Sequence, residues 1–292
     1  MALIQRLLTF RFTKAQGTFK ESSTDTVEVS GLRATAKIVK AGTPSLGEAQ
    51  LQIYGMTLSL MNQLSTLGMV FSLIPRDSVT VLAGDDSTGL SVVFYGTIVQ
   101  AWGDFASAPD VPFHIQAHTL GTESAITGDP QSFTGPVDAA GVMKNLADKM
   151  GLTFENNGVS VTLPRSYFYG SLRAQADQCA TAAGIQWFAD DKKLAIWPTG
   201  KARDGDPVLV SDKSGMVGYP SFVAFGIQVR TLFNPKLRFG GTMTIDSILP
   251  AANKTWNIIN LAHDLATLFP GGDWYSTVGG FDPRFTQPAV LK

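Results

Sequence analysis

The feature that most constrains this chain is the punctuation of its apolar pattern: short runs of alternating apolar and polar residues, cut repeatedly by glycine, proline, asparagine or aspartate. A strand sends successive side chains to opposite faces, so a period of two marks strands that bury one side. Apolar residues alternate between Thr26 and Val39 and again from Glu48 to Tyr54, and the turn-rich stretch from Ala41 to Gly47 makes the two a predicted hairpin. Ser78 to Gly84, Leu90 to Trp102 and Pro112 to Leu120 repeat the pattern, separated by polar turns at Asp85 to Gly89 and Ala106 to Asp110. One stretch changes period. Leu58, Met61, Leu64 and Leu67 recur at helical spacing, with Thr57 as N-cap and Gly68 as stop. Residues 1–124 are therefore expected to form a β-barrel with a helix.

The middle of the chain, residues 125–200, carries what looks like a duplicated helix-strand-strand unit. In the first copy Asp138 caps a helix with Val142, Met143, Leu146 and Met150 inward; Gly151 stops it, and Leu152 to Phe154 and Val159 to Pro164 follow around a turn at Asn156-Asn157-Gly158. In the second, Ser171 opens a helix with Leu172, Ala176, Cys179, Ala180 and Ala183 inward. Gly184 stops it, and Ile185 to Phe188 and Leu194 to Pro198 flank a turn at Asp190 to Lys193. This predicts a small α+β domain inserted in a mainly β chain. After a polar linker from Thr199 to Asp206, strand patterns return at Phe222 to Phe233, Thr242 to Ile248, Thr255 to Phe269 and Trp274 to Val278. Residues 201–292 are expected to form a second barrel, with no clear element in the tail from Phe281.

Composition narrows the function. With 44% hydrophobic and 16% charged residues, the 292-residue chain can bury a substantial core. Its 23 basic and 24 acidic residues leave a net charge of -1, which provides no field to gather nucleic acid or an anionic membrane. The single Cys179 rules out an intrachain disulfide and a cysteine-built zinc site. The first residues, Met1 to Arg11, are interrupted by Arg6 and Arg11, which favours a first strand over a signal peptide. No apolar run approaches the roughly 18 residues that cross a bilayer, so a soluble protein folding in the cytoplasm is expected.

Candidate chemistry is sparse. His114 and His118 are four apart, but Val111, Phe113, Ile115 and Ala117 alternate around them as a strand, which places them as surface histidines with no cysteine or carboxylate cluster beside them. His263 and Asp264 are neighbours on a strand and point to opposite faces, so they form no acid/base dyad. Gly89-Leu90-Ser91-Val92-Val93 lacks the second glycine of a nucleophile elbow. Gly42 to Gly47 has P-loop spacing, but Glu48-Ala49 stand where lysine and serine or threonine would hold phosphate and magnesium. Asp190-Asp191 and Asp204-Gly205-Asp206 fall in polar turns, where aspartate bonds to its own backbone. Asn253-Lys254-Thr255 is a glycosylation sequon in form alone. Trp187, Trp197, Trp256 and Trp274 lie in or beside strands, as core or interface residues do. The sequence thus assigns no catalytic residue, no cofactor and no metal ligand, and points to a binding or structural role.

The layout resembles the baseplate hub proteins of contractile-tailed phages, a group related to tail late control proteins and the base of type VI secretion spikes. The carriers are Val79 to Gly84 followed by Val93 to Ile98, then Pro109 to Ala117 and the duplicated middle segment. Toward the C-terminus they are Asn234 to Gly241 and His263-Asp264-Leu265 leading to Phe269 to Trp274. The resemblance implies a virion protein, not an enzyme: a homotrimer in which each subunit gives two similar barrels to a pseudo-sixfold ring, with the α+β insertion outside. Such a ring joins the tail tube to a central spike and lets DNA pass at genome ejection without specific binding. Its implied neighbours are the spike, the tail tube protein, other baseplate proteins and the tape-measure protein, with assembly in the host cytoplasm and no membrane insertion. A tail tube or distal tail protein, a tail-associated cell-wall hydrolase and a glycan-binding module are the competing readings.

Overall fold

A computed structural model describes residues 5–42, 47–66, 76–224 and 226–284. The N-terminal part runs Arg6–Thr13 (β1), Thr26–Ser30 (β2), Ala34–Ala41 (β3), Glu48–Tyr54 (β4), helix Leu58–Leu64 (α1), Ser78–Asp85 (β5), Gly89–Gly103 (β6) and Pro112–His118 (β7). Helix Gly121–Ala125 (α2) leads into Gln131–Phe133 (β8), Val137–Asp138 (β9), helix Ala139–Lys149 (α3), Thr153–Asn156 (β10), Thr162–Leu163 (β11), Ser166–Phe168 (β12), helix Leu172–Ala183 (α4), Ile185–Asp190 (β13) and Lys193–Pro198 (β14). The chain closes with Val208–Ser211 (β15), Met216–Val223 (β16), Gly226–Leu232 (β17), Thr242–Asp246 (β18), Thr255–Thr267 (β19) and Trp274–Phe281 (β20).

The expected mainly β class holds, but the expected barrels do not close. Strands of both outer parts join one 13-stranded sheet, ordered β16-β17-β20-β19-β3-β4-β7-β6-β5-β1-β2, with β18 and β15 branching from β19. The N-terminal part curls until β1 reaches the end of β19. There the contact is two side-chain bonds, Thr267 Oγ1 to the Arg6 carbonyl and Arg6 Nη1 to the Gly272 carbonyl, in place of a strand ladder.

The sheet repeats itself. β3-β4-β7-β6-β5 and β16-β17-β20-β19-β18 each run first, second, fifth, fourth, third in chain order, and every pair within them is antiparallel. The bulges match as well: the register of β6 on β7 shifts between Ile98 and Gln100, and that of β19 on β20 between Ile258 and Asn260. The two units meet where β19 pairs with β3 from Asn260↔Ala41 to Thr267↔Ala34.

Each part has its own core. Phe10, Phe12, Phe94, Phe113, Ile38 and Leu51 fill the first, with Leu60, Met61 and Leu64 of α1 packed on it. Ile227, Val229, Met243, Ile245, Trp256 and Leu261 fill that of the C-terminal unit. The insertion has a third, of Met143, Leu146, Cys179, Trp187, Leu194 and Ile196. Thr57 caps α1 by accepting from the Leu60 N–H; Leu67, expected in that helix, and Gly68, expected to stop it, lie outside the described residues, as do Thr43 to Leu46 of the first hairpin turn.

Both insertion helices begin at the expected caps, Asp138 accepting from the Ala140 and Gly141 N–H groups and Ser171 from Ala174. Gly151 and Gly184 follow them at φ +67 and +62, where a side chain would be strained. The strands after the helices do not match. β13 and β14 form a hairpin that β10 joins in parallel, while β11 pairs with β9 in a separate two-stranded sheet. Two further features depart from the sequence pattern. The alternating stretch from Thr26 to Val39 breaks at Gly31 into β2 and β3, which lie at an edge and in the middle of the sheet. The hairpin of β16 and β17 replaces the single strand expected from Phe222 to Phe233.

Candidate assembly interface

The residues scanned for chemistry separate in space. His114 and His118 face outward on β7, His114 stacked on Trp102 at 5.0 Å between ring centroids. Among the described residues no group of three or more histidines, cysteines or carboxylates is placed to hold a metal. His263 faces inward on β19, its Nδ1 2.9 Å from Ser276 Oγ. Burial, with Lys40 nearby, pushes its pKa down to about 3, so the imidazole is neutral. Asp264 occupies the next position of β19 and is less buried. Burial and Asp138 push the Cys179 thiol up to about 12, which makes it unreactive. Trp187, Trp197, Trp256 and Trp274 are all buried.

The Asp190-Asp191 turn is not the solvated turn its sequence implies. Lys40 sits on the inward phase of β3, in line with Ala34, Ala36 and Ile38, and its Nζ donates to both carboxylate oxygens of Asp191 at 2.9 Å. Asp191 and Lys192 form the two-residue hairpin loop at φ +48 and +63, a conformation that neither residue type favours strongly and that the Lys40 contact helps to hold. Arg203, its side chain only 1% exposed, gives Nη1 to both oxygens of Asp190 at 3.3 Å and to the Phe239 carbonyl at 3.2 Å, and Nε to Glu155 at 3.1 Å. Burial would raise the Glu155 carboxyl, but Arg203 and Lys193 overcome it and hold the pKa at about 2. Burial pushes Asp191 up against the pull of Lys40. Beside these charges Phe188, Trp197 and Phe239 pack together, and Gly240 at φ +78 lets its loop approach Trp197, where a Cβ would stand 2.7 Å from the indole. The cluster binds the insertion, the linker and the main sheet into one body.

The surface tells more about what the molecule does. Among the described residues β16 ends the sheet with one side unpaired, and Val217, Tyr219, Phe222 and Val223 on it are exposed, Tyr219 at 69% and Phe222 at 55%. Proteins blunt strand edges because an apolar one recruits other chains. The far edge is blunted in that way: β2 has five residues, with Glu28 paired to Arg11 across it. The β16 edge carries a bulge between Val217 and Ser221 and a proline, Pro220, yet four apolar side chains stand exposed along it, so it has the character of an interface. The strand pattern hid it, because Gly218 and Pro220 interrupt the alternation; the exposed aromatics beside that proline were the available signal.

Comparison with known proteins agrees with a structural role. The family model described as baseplate hub gp41 matches residues 15–269. No curated protein matches the sequence. Among solved structures, a tail protein from Neisseria meningitidis MC58 superposes with a TM-score of 0.61 at 7% identity, over 94% of this chain and 96% of that one. The 43 kDa tail protein of prophage MuSo2 from Shewanella oneidensis gives 0.57 at 9% identity, over 96% and 97%. Prophage tail protein gp18 from Listeria monocytogenes EGD-e gives 0.50 at 9% identity, over 92% and 94%. At such identities these likenesses concern the fold.

Proposed function

The chain belongs to the baseplate hub gp41 family of phage tail proteins, and from that premise we propose that it acts as a homotrimer, a pseudo-sixfold ring joining the tail tube of a contractile tail to the central spike. The observation that carries this reading is the internal repeat. Two five-stranded units of one topology lie side by side in one sheet, so three chains supply six equivalent wall segments. The near-balance of charge suits a channel through which DNA slides without being held. Residues 1–124 and 201–292 supply the wall in this reading, and residues 125–200 stand outside it, toward other baseplate proteins. The spike and tail tube proteins cover the two ends of the ring, and the tape-measure protein adjoins it. Ring assembly takes place in the host cytoplasm before genome ejection.

Light scattering on the purified chain, alone and with the candidate spike encoded beside it, tests the proposal. The expected mass is three times the 31.2 kDa of one chain for the chain alone, or three chains plus the bound spike in the mixture. A chain that stays monomeric in both conditions would refute the ring.

A further inference from the structure

We propose that the ring is sealed by a repeat of the junction already present inside each chain: β16 of one copy pairs antiparallel with the end of β6 in the next, as β3 pairs with β19. This rests on the ring reading above and names its interface. The internal repeat makes the argument residue by residue. Aligning the two bulges sets Ile98 against Ile258 and Gln100 against Asn260, so Trp102, Gly103 and Asp104 correspond to Ala262, His263 and Asp264. Across the sheet, Gln116 and Gln50 correspond to Gly279 and Gln228, which sets Lys37, Ile38 and Val39 against Ser221, Phe222 and Val223. Within the chain, Ala262, His263 and Asp264 pair with Val39, Ile38 and Lys37. Their counterparts are Trp102, Gly103 and Asp104 of one copy facing Val223, Phe222 and Ser221 of another.

Three observations converge on that pairing. β5 pairs with β6 only as far as Thr97; beyond it the Ile98 N–H is held by the Asp77 carbonyl, the Val99 carbonyl by Arg76 and Ala101 by Thr66, so among the described residues the side of β6 away from β7 is open at its end, Trp102 and Gly103. Exposure is mismatched between equivalent positions: Ile38 is 0% exposed, whereas Phe222, its counterpart, is 55% exposed. Phe105, which follows the docking segment, is likewise 56% exposed, against 2% for the equivalent Leu265. A second copy covers both rings at once: the Phe105 ring fills the space beside Gly103, where a Cβ would stand 2.9 Å from it, so Phe222 of the neighbouring copy docks against Phe105. Thr66 marks where the docked strand stops, since its N–H and Oγ1 already hold the carbonyl and N–H of Ala101. The contact is heterologous, apolar edge to a different edge, which is the kind that closes a ring.

Cysteine cross-linking tests the register. In Phe222→Cys/Gly103→Cys, mild oxidation is expected to give covalent dimers and trimers on a non-reducing gel, and each single variant none; the buried native Cys179 stays out of the reaction. Val223→Cys/Gly103→Cys, shifted by one residue, is expected to cross-link at least tenfold less. Independently, Phe222→Asp should reduce the mass in solution from three chains to one with an unchanged circular dichroism spectrum. A wild-type trimer that gives no cross-link in the matched pair, or that survives Phe222→Asp, overturns this interface and leaves the hub reading standing. A wild-type chain that never forms trimers, with or without spike, overturns both.

Discussion

Replacing Arg203 by methionine probes how firmly the insertion is attached. The guanidinium is buried and has three kinds of partner: Asp190, Glu155 and the Phe239 carbonyl. Removing one member of a buried ion pair typically costs about 3–5 kcal/mol, because the other charge is left without compensation. The partners decide where in that range this site falls. Glu155 keeps Lys193 at 3.0 Å and Arg238 at 3.7 Å, but among the described residues Asp190 keeps only Lys40 at 3.9 Å. One carboxylate is stranded instead of two, and methionine preserves the apolar stem, so a loss of about 3 kcal/mol is expected. Urea unfolding followed by tryptophan fluorescence at pH 7 measures it, through the midpoint at constant slope. The double variant Arg203→Met/Asp190→Asn removes the stranded charge and should recover at least about 1 kcal/mol of the loss. Because the site is buried, 1 M salt should change the difference little. A loss under about 1 kcal/mol, the value of an exposed ion pair, or no recovery in the double variant would refute the reasoning.

Acid should destabilise the chain partly through His263. Its folded pKa is depressed to about 3, so below pH 6.5 the unfolded chain takes up a proton that the folded one refuses. Stability therefore falls by about 1.4 kcal/mol per pH unit as pH drops from 6.5 toward 3. His263→Gln should lack that slope; parallel stability curves for the two proteins between pH 6.5 and 4 would count against it. Asp138→Ala removes the cap on α3 and is expected to cost about 1 kcal/mol, with faster amide exchange at Ala140 and Gly141, while Asp138→Asn keeps most of the stability. Equal exchange rates in Asp138→Ala and the parent would show that the cap contributes nothing.

What could be inferred from sequence alone was local. Period-two alternation placed β4 to β7 and β18 to β20, and the caps Thr57, Asp138 and Ser171 placed α1, α3 and α4 but not α2, which has no side-chain cap, because these signals act within a few residues and do not depend on the rest of the chain. The absence of any catalytic spacing, the balanced charge and the family resemblance were legible there too. Other features depend on contacts between residues far apart in the chain. Alternation says that a strand buries one face but not which strand lies beside it, so barrels were expected where an open sheet runs through both units. Asp190 and Asp191 have the composition of a solvated turn, and only the arrival of Lys40, from 151 residues away in the chain, makes Asp191 part of a buried ion cluster. The one local trace was a lysine in the inward phase of β3. The repeat of the two five-stranded units, with 7% identity or 9% identity sufficing for the same fold in other tail proteins, is likewise written in hydrogen-bond order and bulge position. Backbone pairing tolerates nearly any side chain of suitable polarity, so topology persists where sequence similarity has faded, and the edge left open at β16 could be identified only after every other strand had found its partner.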